Sequence, residues 1–297
     1  METLGYYNGA IGLLDELRIP MNDRACWFGD GVYEATVSAN YIIFALEEHI
    51  NRFFNSAALL RMSPTITKTQ LAELLNTLVH KVDSPTQFVY WQMTRGTAPR
   101  THTFPEHTAP NLWVMLKPQV FKDIYQKIKL ITVEDTRFLH CNIKTLNLLP
   151  NVLASEKAKQ AGCVEAVFHR GNRITEGSHS NVHILKDGIF RTAPLDNLIL
   201  PGISRAHIIA HCVKLGIPVD ETPFTLEEMF EADEIMISSV STFCMSASYI
   251  DGYQVGGKDP ERLRQIQDAF LEEFYQFTQT ANHSASGRKQ SVHKHGT

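Results

Sequence analysis

The stretch Cys141-Asn142-Ile143-Lys144-Thr145-Leu146-Asn147-Leu148-Leu149-Pro150 sets one lysine in a largely apolar run, immediately ahead of a helical pattern. Two readings of Lys144 compete. Its stem can lie along apolar surface while the ammonium reaches water, which is the ordinary use of a lysine. Alternatively, burial lowers its proton affinity and makes it a nucleophilic amine able to form a Schiff base. The two readings have to be separated by what the rest of the chain offers such an amine.

The 297 residues, 43% hydrophobic and 20% charged, suffice for one large globular unit or two packed domains. A formal charge of -4 with both signs interspersed leaves no broad cationic surface. Nucleic acid and anionic membrane are therefore not expected partners, and a small molecule is. The five cysteines, Cys26, Cys141, Cys163, Cys212 and Cys244, are odd in number and contain no C-x-x-C pair. That argues against a disulfide framework or a thiolate zinc site and suits a reducing cytoplasm. The opening METLGYYNGAIGLLDELRIP has acids and glycines where a secretory signal needs a basic head and an apolar run. No segment is long enough to span a bilayer, so a soluble cytoplasmic protein is expected.

Working outward from Lys144, the pattern predicts an α/β (α+β) chain. Tyr6-Tyr7-Asn8-Gly9 is a turn between short apolar runs, and Val32–Leu46, broken at Ala39-Asn40, reads as two strands joined by a tight turn. Helical spacing runs from Glu47 to Met62 and from Thr67 to about Val82, followed by strands over Gln87–Thr94 and Leu112–Leu116. The run IKLITVED then begins a second sheet, which predicts a smaller domain over 1–118, a linker over 119–124 and a larger domain over 125–280. Within the larger domain, Pro150–Gln160 is helical, and strands are expected at Glu165–Phe168, Asn181–Leu185 and Ile189–Arg191. A helix opens at Pro201-Gly202-Ile203-Ser204 and stops at Gly216, and another fills Asp259–Thr278. The polar stretch 281–297 is expected to be a disordered tail.

Four further stretches could carry chemistry. In TRGTAPRTH, the spacing Arg100-x-His102 turns both side chains to one side of an extended segment, which suits gripping a carboxylate. An ordinary solvated loop is the plain alternative. Pro201-Gly202-Ile203-Ser204 joins a permissive glycine, a hydroxyl and a helix N-terminus, a combination that holds phosphate or simply caps the helix. IMISSVST, Ile235–Thr242, reads as a buried strand running into a hydroxyl-rich loop. TEGSHSN places Glu176 beside a glycine and short polar groups, either a turn or a ligand wall. His207 and His211 share a helix face, but no glutamate follows His207 as a zinc protease requires, and no metal site is expected. Lysine, separate carboxylate, phosphate cup and carboxylate clamp are together the parts that an amino-acid enzyme using pyridoxal phosphate needs.

FGDGVYE (Phe28–Glu34), EHINR (Glu48–Arg52), TRGTAPRTH, NIKTLNLLPNVLA and TEGSHSN, in that order, resemble the fold-type-IV pyridoxal phosphate enzymes of aminotransferase class IV. Among these they look most like the bacterial D-amino acid aminotransferases. The similarity runs from about Tyr7 to about Thr278. It implies a two-domain fold with pyridoxal 5'-phosphate between the domains, and a homodimer that completes each site. It further implies that Lys144 is the Schiff-base lysine, that Glu176 faces the pyridinium nitrogen, and that Tyr33 stands near the cofactor's phenolic oxygen and the substrate carboxylate. Arg52 with Ile203 and Ser204 would bind the phosphate, Leu200 would pack on the ring, and Arg100 with His102 would grip the substrate α-carboxylate. Two positions depart from the pattern. His179 stands where a serine is usual, and Val240 where a phosphate-binding threonine is, so that contact is made either by the backbone alone or by Ser241 in its place.

The implied reaction is ping-pong transamination of D-amino acids, of D-alanine and D-glutamate type, with 2-oxo acids such as 2-oxoglutarate. Branched-chain L-amino acid and R-amine transaminases would share Lys144 and Glu176, and Arg100-x-His102 is the feature against them. Aminodeoxychorismate lyase would keep the lysine and eliminate pyruvate. A non-catalytic binding protein on the same scaffold is the remaining alternative.

Overall fold

The computed structural model describes residues 3–279. Strands β1 (Leu4–Tyr7), β2 (Ala10–Leu13), β3 (Gly31–Ala39), β4 (Ile42–Ile43), β5 (Gln87–Thr94) and β6 (Asn111–Pro118) form one sheet in the order β2-β1-β6-β5-β3-β4. All its pairings are antiparallel. Two-residue turns make this possible. Asn8 and Gly9 have φ of 45° and 102°, and Asn40 and Tyr41 have 51° and 61°. Positive φ at both central residues matches the twist of a tight hairpin. The second turn sits one residue later than the Ala39-Asn40 break expected from sequence. Helix α1 (Arg24–Phe28) precedes β3, while α2 (Leu46–Leu59) and α3 (Lys68–Val79) cover the sheet. Their buried stripes, Ile50, Phe53 and Ala57 on α2 with Leu71, Leu75 and Leu78 on α3, pack on Val89, Trp91 and Val114.

The remaining strands are β7 (Ile128–Glu134), β8 (Glu165–Arg170), β9 (Arg173–Gly177), β10 (Asn181–Lys186), β11 (Ile189–Thr192), β12 (Val219–Asp220), β13 (Glu234–Ser239), β14 (Phe243–Ile250) and β15 (Tyr253–Gln254). They make a mixed sheet ordered β12-β11-β10-β13-β14-β7-β8-β9, with β15 paired to β14. Helices α4 (Leu149–Gln160), α5 (Ile203–Lys214), α6 (Leu226–Glu231) and α7 (Pro260–Phe277) complete the fold. Asp259 caps α7 by accepting from the Arg262 amide, as the sequence boundary implied.

The two sheets share a core. Phe44, just after β4, is fully buried with ring centroids 5.2 to 6.1 Å from Phe270, Phe274 and Phe277 of α7. Burying such a ring stabilises by about 1.5–3 kcal/mol, so this contact ties the last helix to the first sheet. Among the described residues no helix is long and apolar enough to cross a membrane. The expected tail over 281–297 lies outside the described residues.

Candidate active site

A cavity of about 260 Å³ opens between the sheets, with Tyr33 of β3, Arg52 of α2 and Phe88 of β5 on one side. Lys144 stands beside Tyr33, and the β9–β10 turn, Leu200, the first turn of α5 and the β13–β14 turn complete the lining. The Lys144 loop reaches this place because it completes the free edge of β3. The Tyr33 amide donates to the Lys144 carbonyl at 2.9 Å, and the Leu146 amide to the Gly31 carbonyl at 3.1 Å. The Lys144 amide in turn donates to Ser56 Oγ of α2 at 3.2 Å. Its Nζ sits 4.3 Å from the centre of the Tyr33 ring, a favourable cation–π placement. Lys144 is half-buried and lines the cavity.

Glu176 ends β9 and is buried. Its Oε1 accepts from Arg137 Nη1 at 2.6 Å, and its Oε2 from the Leu200 amide at 3.0 Å and Asn181 Nδ2 at 3.1 Å. A carboxylate offers about four acceptor positions, so one has no donor among the described residues. Burial raises the Glu176 carboxyl, against the pull of Arg137, to about 7. The arginine itself is anchored by Asp135, which accepts from Nε and Nη2 at 2.9 Å each.

At the far end, α5 begins with Gly202 as its N-cap and has no side-chain cap. A Cβ on Gly202 would collide with Asn181 Oδ1, so only glycine fits there. Ser204 Oγ is buried with no hydrogen-bond partner among the described residues. Arg52 reaches the same end, donating from Nη1 to the Pro201 carbonyl at 3.0 Å while its Nε and Nη2 hold Glu34. Free helix amides, an unpartnered hydroxyl and an arginine form an anion cup.

Of the residues singled out from sequence, Lys144, Glu176, Tyr33 and Arg52 line the cavity, and so do Leu200, Ile203, Ser204 and Ser241. Val240 and His179 line it as well. Arg100 and His102 do not. They are exposed beside Phe28, Arg100 at 5.2 Å and His102 at 5.3 Å from its ring centre. His102 borders a second depression with Arg24, Arg61 and Arg95. His207 and His211 both contact Glu273 Oε2, at 2.9 and 2.8 Å. Among the described residues no cluster could hold a metal.

Sequence reasoning missed Arg137, Asp135, Asn181 and the Glu34–His49 pair, which meets at 3.1 Å. Glu34 and His49 lie inside the motifs FGDGVYE and EHINR, which was the available signal. Nothing local marks Arg137, whose partner Glu176 is far along the chain.

The sequence matches the family model for amino-transferase class IV over residues 31–250. It is 42% identical over 271 residues to a D-alanine aminotransferase of Listeria monocytogenes, covering 88% of this chain and 93% of that protein. A D-alanine aminotransferase of Staphylococcus epidermidis is 38% identical, covering 90% and 96%. Solved structures with the same fold include the branched-chain amino acid aminotransferase of Escherichia coli, with a TM-score of 0.85 at 22% identity over 94% of this chain and 96% of that one. Another is a T.th. branched-chain amino acid aminotransferase with pyridoxamine 5'-phosphate, with a TM-score of 0.84 at 23% identity over 91% and 93%. With the family model spanning both sheets and the cavity between them, the chain belongs to the class IV aminotransferases and has the fold-type-IV architecture.

Proposed function

We propose that this protein is a pyridoxal 5'-phosphate-dependent transaminase that moves the amino group of D-amino acids, of D-alanine and D-glutamate type, to 2-oxo acids such as 2-oxoglutarate. The observation that carries the reading is one cavity holding Lys144, Glu176 and the α5 anion cup together. The relatives named D-alanine aminotransferase, at 38–42% identity, support the choice of substrate over the branched-chain enzymes, which share the fold at 22–23% identity.

The residues fit the cofactor. The unpartnered Ser204 hydroxyl, the uncapped α5 amides and Arg52 suit a phosphate ester, with Ile203 and Ser241 beside it. Leu200 supplies apolar surface for a ring, and the open acceptor position on Glu176 suits a ring N–H. When bound, pyridoxal phosphate supplies an aldehyde and an electron-accepting ring. Glu176 would hold the ring nitrogen's proton in place. Lys144 Nζ would be the amine that holds the aldehyde and, when free, the base that takes and returns the substrate α-proton. Tyr33 would hold the lysine amine over its ring. Two such half-reactions make the ping-pong cycle.

Arg100 and His102 are assigned to the substrate α-carboxylate in the site of the other subunit of a homodimer, because in their own chain they stand outside the Lys144 cavity. The apolar residues Leu149, Val152 and Leu153, exposed on α4, favour association. Refolding Lys144→Ala and Arg100→Ala chains together should restore about a quarter of wild-type activity. Activity no higher than the parents' average in confirmed hybrids rejects the shared site. Free cysteines throughout suit a cytoplasmic setting.

The deciding assay incubates the purified protein with D-alanine or L-leucine plus 2-oxoglutarate and identifies the oxo-acid product. Pyruvate should form from D-alanine only when 2-oxoglutarate is present. A preference for L-leucine would replace this reading with the branched-chain one.

A further inference from the structure

His179, in the β9–β10 turn, borders the cavity without a task in the reaction described above. Behind it lies Glu165 of β8, whose side chain is 0% exposed against 47% for His179. Glu165 Oε1 is well served, accepting from the His179 amide at 2.7 Å, Ser180 Oγ at 2.8 Å and Ser178 Oγ at 3.5 Å. Glu165 Oε2 has no hydrogen-bond partner among the described residues, and His179 Nε2 stands 3.3 Å from it. The carboxylate sits directly under the turn, since a Cβ on Gly177 would collide with Glu165 Oε1. Glu176, one residue away from that glycine, has Arg137, whereas the group at ion-pair distance from Glu165 among the described residues is the His179 imidazole.

This matters because the cavity has to receive anions. An unscreened carboxylate buried just behind a lining residue repels a second negative group on the ligand, and in a partly dry site that repulsion is strong. His179 Nδ1 is held by Ser178 Oγ at 3.2 Å, so the ring is fixed between Glu165 and the cavity. Ser155 Oγ, 3.0 Å from Ser178 Oγ, braces this arrangement from α4.

We propose that His179 is a specificity-determining residue that screens the buried Glu165 carboxylate and so lets the cavity accept substrates with a second carboxylate, dicarboxylic amino acids and oxo acids. The inference rests on the transaminase reading and deepens it. Unscreened, the wall favours small neutral side chains. The imidazole acts through Glu165 and takes no part in the chemistry.

The test compares wild type, His179→Ala, His179→Gln and the double variant His179→Ala with Glu165→Gln, all as holoenzyme. His179→Ala should lower the ratio of kcat/KM for D-glutamate over D-alanine by about ten-fold. Calorimetric Kd values for glutarate against butyrate should shift in the same direction. Removing the charge in the double variant should return both ratios to within about two-fold of wild type, and His179→Gln, which keeps an N–H, should stay near wild type. A structural role would lower both substrates alike and would not be rescued. An unchanged ratio in His179→Ala, or no rescue by Glu165→Gln, overturns the proposal. A His179→Ala chain that fails to fold should be recovered by Glu165→Gln, and no recovery likewise overturns it. If wild type does not transaminate D-alanine, the functional reading fails, while the glutarate and butyrate measurements still decide the screening role.

Discussion

Glu34 and Glu176 are both buried carboxyls that accept a 2.6 Å hydrogen bond from an arginine, yet their proton affinities move in opposite directions. At Glu34 burial works to raise the carboxyl, but Arg52 and His49 overcome it and hold the group well below the usual carboxylate range. At Glu176 burial prevails over Arg137, and the carboxyl is raised to about 7. Donor geometry separates them. Arg52 turns both Nε and Nη2 on Glu34, at 2.8 and 2.6 Å. Arg137 directs that fork at Asp135 and gives Glu176 only Nη1. An arginine at hydrogen-bond distance therefore does not settle the state of a buried acid, because what counts is where its remaining donors point.

The largest expected effect is on stability. Glu34→Gln leaves Arg52 and His49 buried without their anion and should cost about 3–5 kcal/mol in urea unfolding. The same change at Glu176 should cost clearly less, since Arg137 keeps Asp135. Equal losses at the two positions would break the comparison.

Turnover should show the reverse asymmetry. Glu176→Gln is expected to lower kcat about 100-fold, or about 2.7 kcal/mol, with the melting temperature nearly unchanged, because an amide cannot keep a ring nitrogen protonated. A drop of only a few-fold would remove Glu176 from the chemistry.

A third effect is the pH dependence of the cofactor-free protein, where the two glutamates contribute slopes of opposite sign. Glu34 has a folded pKa below its ordinary 4.5, so its contribution is complete above pH 4.5 and lost as pH falls through the depressed value. Glu176 goes from 4.5 to about 7, so its contribution is complete below pH 4.5 and lost as pH rises through about 7. Glu34→Gln should flatten the acid limb, and Glu176→Gln the decline between pH 4.5 and 7. Identical profiles for the two variants would contradict the assignment.

The subtlest change is Asp135→Asn. It replaces one accepting oxygen by an amide NH2 and removes the competing negative charge, so at least one Arg137 donor is released, and the Glu176 carboxyl should then titrate below about 7 in a carbon-13 NMR titration of the cofactor-free protein. An unmoved Glu176 would mean that Asp135 does not set how strongly Arg137 acts.

Much of the fold was legible because its signals are local. The 87–94 strand matches its expected bounds, and α3 and α7 begin where Thr67 and Asp259 accept from amides three residues on. Central strand β14, FCMSASYI, escaped notice. It is buried along most of its length and mixes small and large residues, so it lacks the two-residue alternation that marks a strand. Helix α6 is six residues long, less than two turns, and shows no usable period.

By itself the sequence determined the family and the order of most elements, and it singled out a lysine, a glutamate and a helix N-terminus as site candidates. Each is carried by a short motif whose conformation depends on residues a few positions away. Only the tertiary structure decided that Lys144 docks on the free edge of β3, that Arg100 and His102 lie outside their own chain's cavity, and that the proton affinities of Glu34 and Glu176 move in opposite directions. Arg137 and Glu176 are 39 residues apart, and the strength of their pairing depends on burial and on competition from Asp135. Desolvation and competition for donors arise only when strands and loops distant in sequence are packed together, so no local pattern encodes them.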